Sequence, residues 1–224
     1  MIDLARRATE PELLDVGVPD DEALESLRDL RFVNRWLGGW TALLRAVRPF
    51  LEVVPRPRLL DVGCGSADLP ALLARAYPGL LAVVVDVKPV HLRQAPAGVR
   101  CVVADVRVLP FAPKSFDVVT ASLLLHHFDP PEVAVVLRSL FALARRALVV
   151  NDLRRARVPY LFGRVAFPLL FRSRVSVADG LVSIRRAFTP AELSAAFAEA
   201  GIVNVRLRRS WPYRLVAVAE RDGR

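Results

Sequence analysis

The chain has 224 residues, enough for one substantial hydrophobic core and with no obvious second domain. Hydrophobic residues make up 54 % of it, yet no segment reaches the roughly 18 to 20 uninterrupted apolar residues of a spanning helix, and the start, Met1-Ile2-Asp3-Leu4-Ala5-Arg6-Arg7, lacks the apolar run of a secretory leader, so a cytoplasmic protein is expected. The net charge of +9 comes almost wholly from arginine and leaves nucleic acid or an anionic membrane surface open as partners, while Cys64 and Cys101 are too few for a disulfide framework or a zinc site, and no metal is expected.

In chain order, residues 1–56 read as an N-terminal helical cap or lid. Leu24, Leu27, Leu30, Val33 and Leu37 recur at three- and four-residue spacing across a helical stretch at 20–51 that breaks at Gly38-Gly39. From 58 to 152, short apolar runs alternate with helical stretches, the pattern of a parallel sheet covered on both faces. Strands are expected near 58–63, 81–86, 100–104, 116–122 and 147–151, and helices at 67–76, 89–95 and 130–145. Cys101 is placed in a buried strand and His91 in a surface loop. An insertion at 153–187 interrupts the 57–224 domain; it combines Arg154, Arg155, Arg157, Arg164, Arg172, Arg174, Arg185 and Arg186 with an apolar run from Tyr160 to Phe171. It reads as a solvated or dimer-forming face, as a lipophilic pocket with an arginine rim, or as an RNA or membrane contact. Thr189, Pro190 and Glu192 form a capping-box start to a helix that stops at Gly201. Strands at 202–209 and 214–220 then close an antiparallel hairpin.

The densest signal is Asp61-Val62-Gly63-Cys64-Gly65-Ser66-Ala67-Asp68, a strand running into a glycine turn. A dinucleotide fingerprint needs a third glycine where this chain has Asp68, and a carboxylate there repels pyrophosphate. S-adenosylmethionine (SAM) carries no phosphate and has a cationic amino group and sulfonium, so a turn flanked by Asp61 and Asp68 suits it. Asp86, Asp105 and Asp152 also fall at expected strand ends, and Asp86 lies where α/β cofactor folds place the acid that binds ribose hydroxyls.

Over residues 57–152 the chain resembles class I SAM-dependent methyltransferases, with Asp61, Gly63 and Gly65 in the first motif, Asp86 in the second and Asp105 in the third. Leu109-Pro110-Phe111, Ser115-Phe116-Asp117-Val118-Val119 and Leu125-His126-His127-Phe128 are similar to the small-molecule branch related to ubiquinone and menaquinone methyltransferases. Residues 65–70, Asn151-Asp152-Leu153, Asp179-Gly180, Arg186-Ala187-Phe188 and the 30–39 segment resemble bacterial enzymes that accompany type III polyketide synthases in secondary metabolism.

The resemblance implies an α/β, Rossmann-like, seven-stranded sheet with helices on both faces. It also implies that Gly63 and Gly65 admit the methionine moiety, that Asp86 binds ribose, and that Asp105 and Val106 contact adenine. Cys64, Asp68, Val87 and Ser122 complete the expected cofactor set. After the fourth strand there is no Asn/Asp-Pro-Pro-Tyr/Phe signature of nitrogen methylation, which favours an oxygen acceptor, a hydrophobic phenol, quinol or polyketide, with carbon second. His126 and His127 follow that strand, and either is a candidate general base or a structural group. An RNA methyltransferase and a silent SAM-binding accessory protein remain as alternatives, and the chain is expected as a monomer or homodimer.

Overall fold

The computed structural model describes residues 4–221. After a single turn, α1 (Leu13–Val16), the chain enters α2 (Asp20–Trp36), whose first turn carries Asp20, Asp21 and Glu22 where negative charge opposes the helix dipole favourably. The expected break at Gly38-Gly39 is present, and α3 (Gly39–Leu51) follows. Strands and helices then alternate through β1 (Arg58–Val62), α4 (Asp68–Ala76), β2 (Leu81–Asp86), α5 (Pro89–Leu92), β3 (Arg100–Val103), β4 (Phe116–Ser122), α6 (Pro130–Leu143) and β5 (Ala144–Leu153). Two helices, α7 (Arg157–Leu170) and α8 (Arg174–Arg186), occupy the insertion. The chain ends in α9 (Pro190–Glu199), β6 (Val205–Ser210) and β7 (Arg214–Glu220).

The sheet has seven strands in the order β3-β2-β1-β4-β5-β7-β6, the first five parallel and the last two antiparallel. Alternation along the strands sorts the core into two layers. Leu59, Val118 and Val149 point to one face, where they meet Leu43, Val47 and Leu51 of α3 and Leu69 and Leu73 of α4. Leu60, Val119 and Leu148 point to the other, against α6 and α9. Thus α3 belongs to the packed layers of the sheet, whereas α2 lies over the glycine turn, its Leu27 approaching Gly65.

Several boundaries differ from expectation. The helix expected to reach residue 145 stops at Leu143, because Ala144 is already extended and pairs with Phe116 of β4. For the same reason β5 starts early, and it also runs late: Asp152 pairs with Leu215 inside the strand instead of following it. The hairpin strand expected from 202 begins at Val205, since Gly201 turns at φ +74 and the Ile202 N–H bonds back to the Phe197 carbonyl to close α9. Cys101 is exposed because β3 is the sheet's edge strand and pairs with β2 alone. Among the described residues no helix is long and apolar enough to cross a membrane.

The insertion folds into a helical pair over the carboxyl edge of the sheet. Tyr160 and Phe167 of α7 pack with Ile184 of α8, and the Phe167 ring stacks on Phe171 at 4.6 Å. Gly180 makes room for that stack: a Cβ there would lie 2.8 Å from the Phe167 ring.

Candidate functional site

The turn after β1 alternates left-handed residues, with Gly63 at φ +66, Gly65 at φ +53 and Ala67 at φ +55. A side chain at Gly63 would also collide with Leu124, its Cβ only 2.7 Å from Cδ1, so glycine is required by both backbone and neighbours. The turn is pinned from the next strand. Gly65 N–H donates to Asp86 Oδ2 at 3.0 Å and Lys88 N–H to Oδ1 at 2.9 Å, leaving the remaining lone pairs of this nearly buried carboxylate for a ligand.

All twelve residues singled out from the sequence line one cavity of about 960 Å³: Asp61, Gly63, Cys64, Gly65, Asp68, Asp86, Val87, Asp105, Val106, Ser122, His126 and His127. Their states differ. Asp61 is 4 % exposed, and burial pushes its carboxyl up to about 7, helped by the charges of Asp86 and Asp68 and opposed by the Thr120 hydroxyl, which donates to Asp61 Oδ1 at 2.6 Å. Asp68, expected to present a free charge, is already paired: Arg31 Nε of α2 lies 2.8 Å from its Oδ1 and Ser66 donates to its Oδ2. Asp105 is engaged by Arg107, which also holds Glu132 at 2.9 Å. The Cys64 thiol is driven up by burial. Ser122 Oγ accepts from Asn151 at 3.0 Å.

His91 corrects the surface-loop expectation. It is 8 % exposed in α5, with Nδ1 3.2 Å from Asp86 Oδ1 but not aligned for a hydrogen bond, and neither ring nitrogen has a hydrogen-bond partner among the described residues. A buried imidazole with idle nitrogens, next to a carboxylate with spare lone pairs and facing the cavity, fits a nucleoside with ribose hydroxyls and ring nitrogens to bond. The donor set of the turn therefore suits SAM.

The short 3₁₀ turn at Leu125–His127, also lining the cavity, presents the two histidines in different ways. His126 is 2 % exposed. Its Nδ1 lies 2.6 Å from Asp152 Oδ1 and its Nε2 3.4 Å from Glu12 Oε1. Burial pulls its pKa down, but the carboxylates on its two sides more than offset this and raise it to about 10. His127 is more open, with Nδ1 2.8 Å from Asp15 Oδ2. Both acids come from the N-terminal strap ahead of α2, which is fastened to α8: Leu13 and Leu14 N–H donate to Asp179, and Ser183 donates to Glu12 Oε1 at 2.6 Å.

Two further walls complete the cavity. Val158, Pro159, Phe162, Phe167 and Phe171 give it an apolar side. Arg214 of β7 also lines the cavity, 2 % exposed, with Nη2 3.1 Å from Asn34 Oδ1 and Nη1 without a hydrogen-bond partner among the described residues. Burial lowers its pKa to about 10, so it stays a cation at neutral pH. Glu12, Asp15, Arg31, His91 and Arg214 were not legible as site residues. Glu12, Asp15, Arg31 and Arg214 are brought in by segments distant in sequence and His91 by the short helix just after Asp86, and none carries a spacing signal.

A family model described as a methyltransferase domain matches residues 59–147. A demethylmenaquinone methyltransferase from Roseiflexus castenholzii is 32 % identical over 168 residues, covering 67 % of this chain and 70 % of the relative. A malonyl-acyl-carrier-protein O-methyltransferase from Herminiimonas arsenicoxydans is 39 % identical over 93 residues, which is 39 % of this chain. The matched stretch spans 36 % of that relative's length. Human N-acetylserotonin methyltransferase, solved in complex with SAM, shares the fold with a TM-score of 0.61 at 16 % identity, over 94 % of this chain and 62 % of that one.

Proposed function

The chain belongs to the class I SAM-dependent methyltransferases, and from that premise we propose that it methylates an oxygen of a small hydrophobic acceptor, a phenol, quinol or polyketide. The observation that carries this reading is one continuous cavity lined by the Gly63–Gly65 turn with Asp86, by α7 and by the His126–His127 turn.

In this reading the turn and Asp86 hold the methionine and ribose parts of the cofactor, His91, Asp105 and Val106 line the adenine side, and Asp61 meets positive charge. When bound, SAM supplies a sulfonium methyl open to in-line attack. The protein's own task is to keep the acceptor oxygen aligned about 3 to 3.5 Å from that methyl and to exclude water, which the apolar α7 wall serves. A phenol loses its proton near pH 10 by analogy with tyrosine, so the acceptor end needs a group that favours the phenolate. The corner formed by His126, His127, Glu12 and Asp15 is assigned that task, with His127 the more accessible of the two rings and His126 held between Asp152 and Glu12 as a positioning group.

The name of the Herminiimonas relative, an O-methyltransferase, supports the oxygen acceptor, and that of the Roseiflexus relative supports a quinone-like ring. The RNA alternative loses part of its basis, since Arg155, Arg186 and Arg214 are buried inside the fold. The test is incubation with methyl-labelled SAM and a cell extract split into lipid, RNA and protein fractions. Label in the lipid fraction is expected, and label confined to RNA or protein refutes the reading.

A further inference from the structure

We propose that Glu12, His126 and His127 form a divalent-cation site in the cavity wall, and that the cation held there binds the acceptor's hydroxyl oxygen. This rests on the methyl-transfer reading above and names how its acceptor end works.

The geometry is that of two imidazoles prepared as ligands. Each has Nδ1 taken by a carboxylate, His126 by Asp152 at 2.6 Å and His127 by Asp15 at 2.8 Å. Metal-ligating histidines donate their second ring N–H in this way, which fixes the ring and leaves Nε2 as the ligand atom once the ion displaces its proton. Both Nε2 atoms then face one carboxylate, at 3.4 Å from Glu12 Oε1 and 4.0 Å from Oε2. Ligands bound at about 2.0 to 2.2 Å in a tetrahedral site stand roughly 3.3 to 3.6 Å apart. The His126–Glu12 separation has that spacing, and the whole donor set lies within 4.8 Å. Closing it falls to His127, the less buried of the two rings. Two histidines and one carboxylate with positions left open are a donor set for zinc or ferrous iron.

Charge points the same way. Glu12, Asp15 and Asp152 converge here, with Asp179 beside them. The nearest guanidiniums do not hydrogen-bond to these acids. Arg186 bonds the carbonyls of His126, His127, Thr9 and Glu10, and Arg7 those of Arg186, His126 and Phe128. All three proposed ligands face the cavity, so an open coordination position points at the acceptor. An acceptor hydroxyl bound there gives up its proton to water more readily. Its oxygen lone pair then forms the new O–C bond while the S–C bond breaks and its electron pair stays on sulfur, leaving a neutral thioether.

The experiment strips the full-length protein with EDTA and measures zinc and, under anaerobic conditions, ferrous-iron binding by equilibrium dialysis, alongside SAM binding by calorimetry and methyl uptake by the lipid fraction. About one ion per chain is expected, bound about 10- to 100-fold more weakly in Asp15→Asn and at least that much more weakly in Glu12→Gln and His127→Gln. SAM affinity should stay unchanged, with circular dichroism confirming that each variant is folded. No bound ion, equal ion affinity in the three folded variants, or full methyl transfer by the stripped enzyme overturns the cation site while leaving methyl transfer standing. A protein that binds the ion but neither SAM nor methyl acceptor overturns the role assigned to the ion together with the reading beneath it.

Discussion

Arg31 of α2 holds Asp68 of the glycine turn through a 2.8 Å contact, so the helix over the cavity is fastened to the loop proposed to hold the cofactor. With the two side chains 38 % and 23 % exposed, this pair contributes at most about 1 kcal/mol to folding. Arg31→Ala should therefore melt close to the parent protein. SAM should dissociate several-fold faster, because α2 is freed to lift. Stopped-flow measurement of release checks this, and an unchanged off-rate would show that α2 does not gate the site.

A pH dependence follows from Asp61, whose carboxyl sits at about 7 against an ordinary value of 3.8. Folded protein keeps a proton there that the unfolded chain has lost, so Asp61 costs stability progressively as pH rises between those values and by a constant amount above them. A cationic ligand needs the ionised form. SAM affinity should therefore rise about tenfold from pH 6 to pH 8, with little further gain. Asp61→Asn should flatten that rise and remove the matching loss of thermal stability. Calorimetry at the two pH values, with melting curves, decides it.

What was legible in the chain was whatever local pattern encodes. Alternating apolar strands, the glycine turn with its flanking acids, the Gly38-Gly39 break and the Thr189–Glu192 cap all appear where their residues place them. Boundaries failed where partner strands decided them: Ala144 leaves the helix because Phe116 pairs with it, and Asp152 stays in β5 because Leu215 lies opposite. The site showed the same division. Its glycines and aspartates follow strand ends, whereas Glu12 and Asp15 arrive by a strap held to Asp179 and Ser183, contacts spanning more than 160 residues. The short helix over 89–95 is legible, but its four observed residues are too few to show by periodicity that His91 lies on the buried side next to Asp86.

The Asp86 carboxylate has two tasks, since it bonds Gly65 and Lys88 N–H while facing the cavity. Asp86→Asn keeps the shape but weakens charge-assisted hydrogen bonds worth about 1.5 to 3 kcal/mol each. SAM binding should weaken about 10- to 100-fold, with the fold retained. His91→Ala should weaken it less, because the Gly65 and Lys88 N–H bonds that hold Asp86 in place do not depend on that ring. Binding at parent affinity in Asp86→Asn would remove the ribose assignment.

The apolar wall predicts a different kinetic signature. Val158 and Phe162 line the cavity from α7 yet remain 58 % and 51 % exposed, so a charged replacement is tolerated by the fold. Phe162→Asp should raise KM for an acceptor with a long hydrocarbon chain by about tenfold or more, since each buried methylene contributes about 0.8 kcal/mol. Its SAM affinity should be unaffected. Equal KM values for short- and long-chain phenols in parent and variant would show that the tail does not lie along α7.

Two buried arginines test the difference between a structural charge and a binding one. Arg155 is satisfied on all sides, bonding the Leu4, Ala5 and Ala187 carbonyls and pairing with Glu192 at 2.9 Å. Arg214, which lines the cavity, has Asn34 on Nη2 and no hydrogen-bond partner on Nη1 among the described residues. Breaking a fully formed buried network is costly, whereas replacing an incompletely paired buried charge by an apolar group of similar volume is often neutral. Arg155→Met should thus lose about 3 kcal/mol in chemical denaturation and release the N-terminal strap to protease. Arg214→Met should lose little stability and instead weaken binding of whichever ligand brings a carboxylate to that wall, whether SAM through its amino-acid end or an acidic acceptor. Calorimetry with SAM and with an acidic phenol separates the two sources, and unaltered binding of both would mark Arg214 as a packing residue alone.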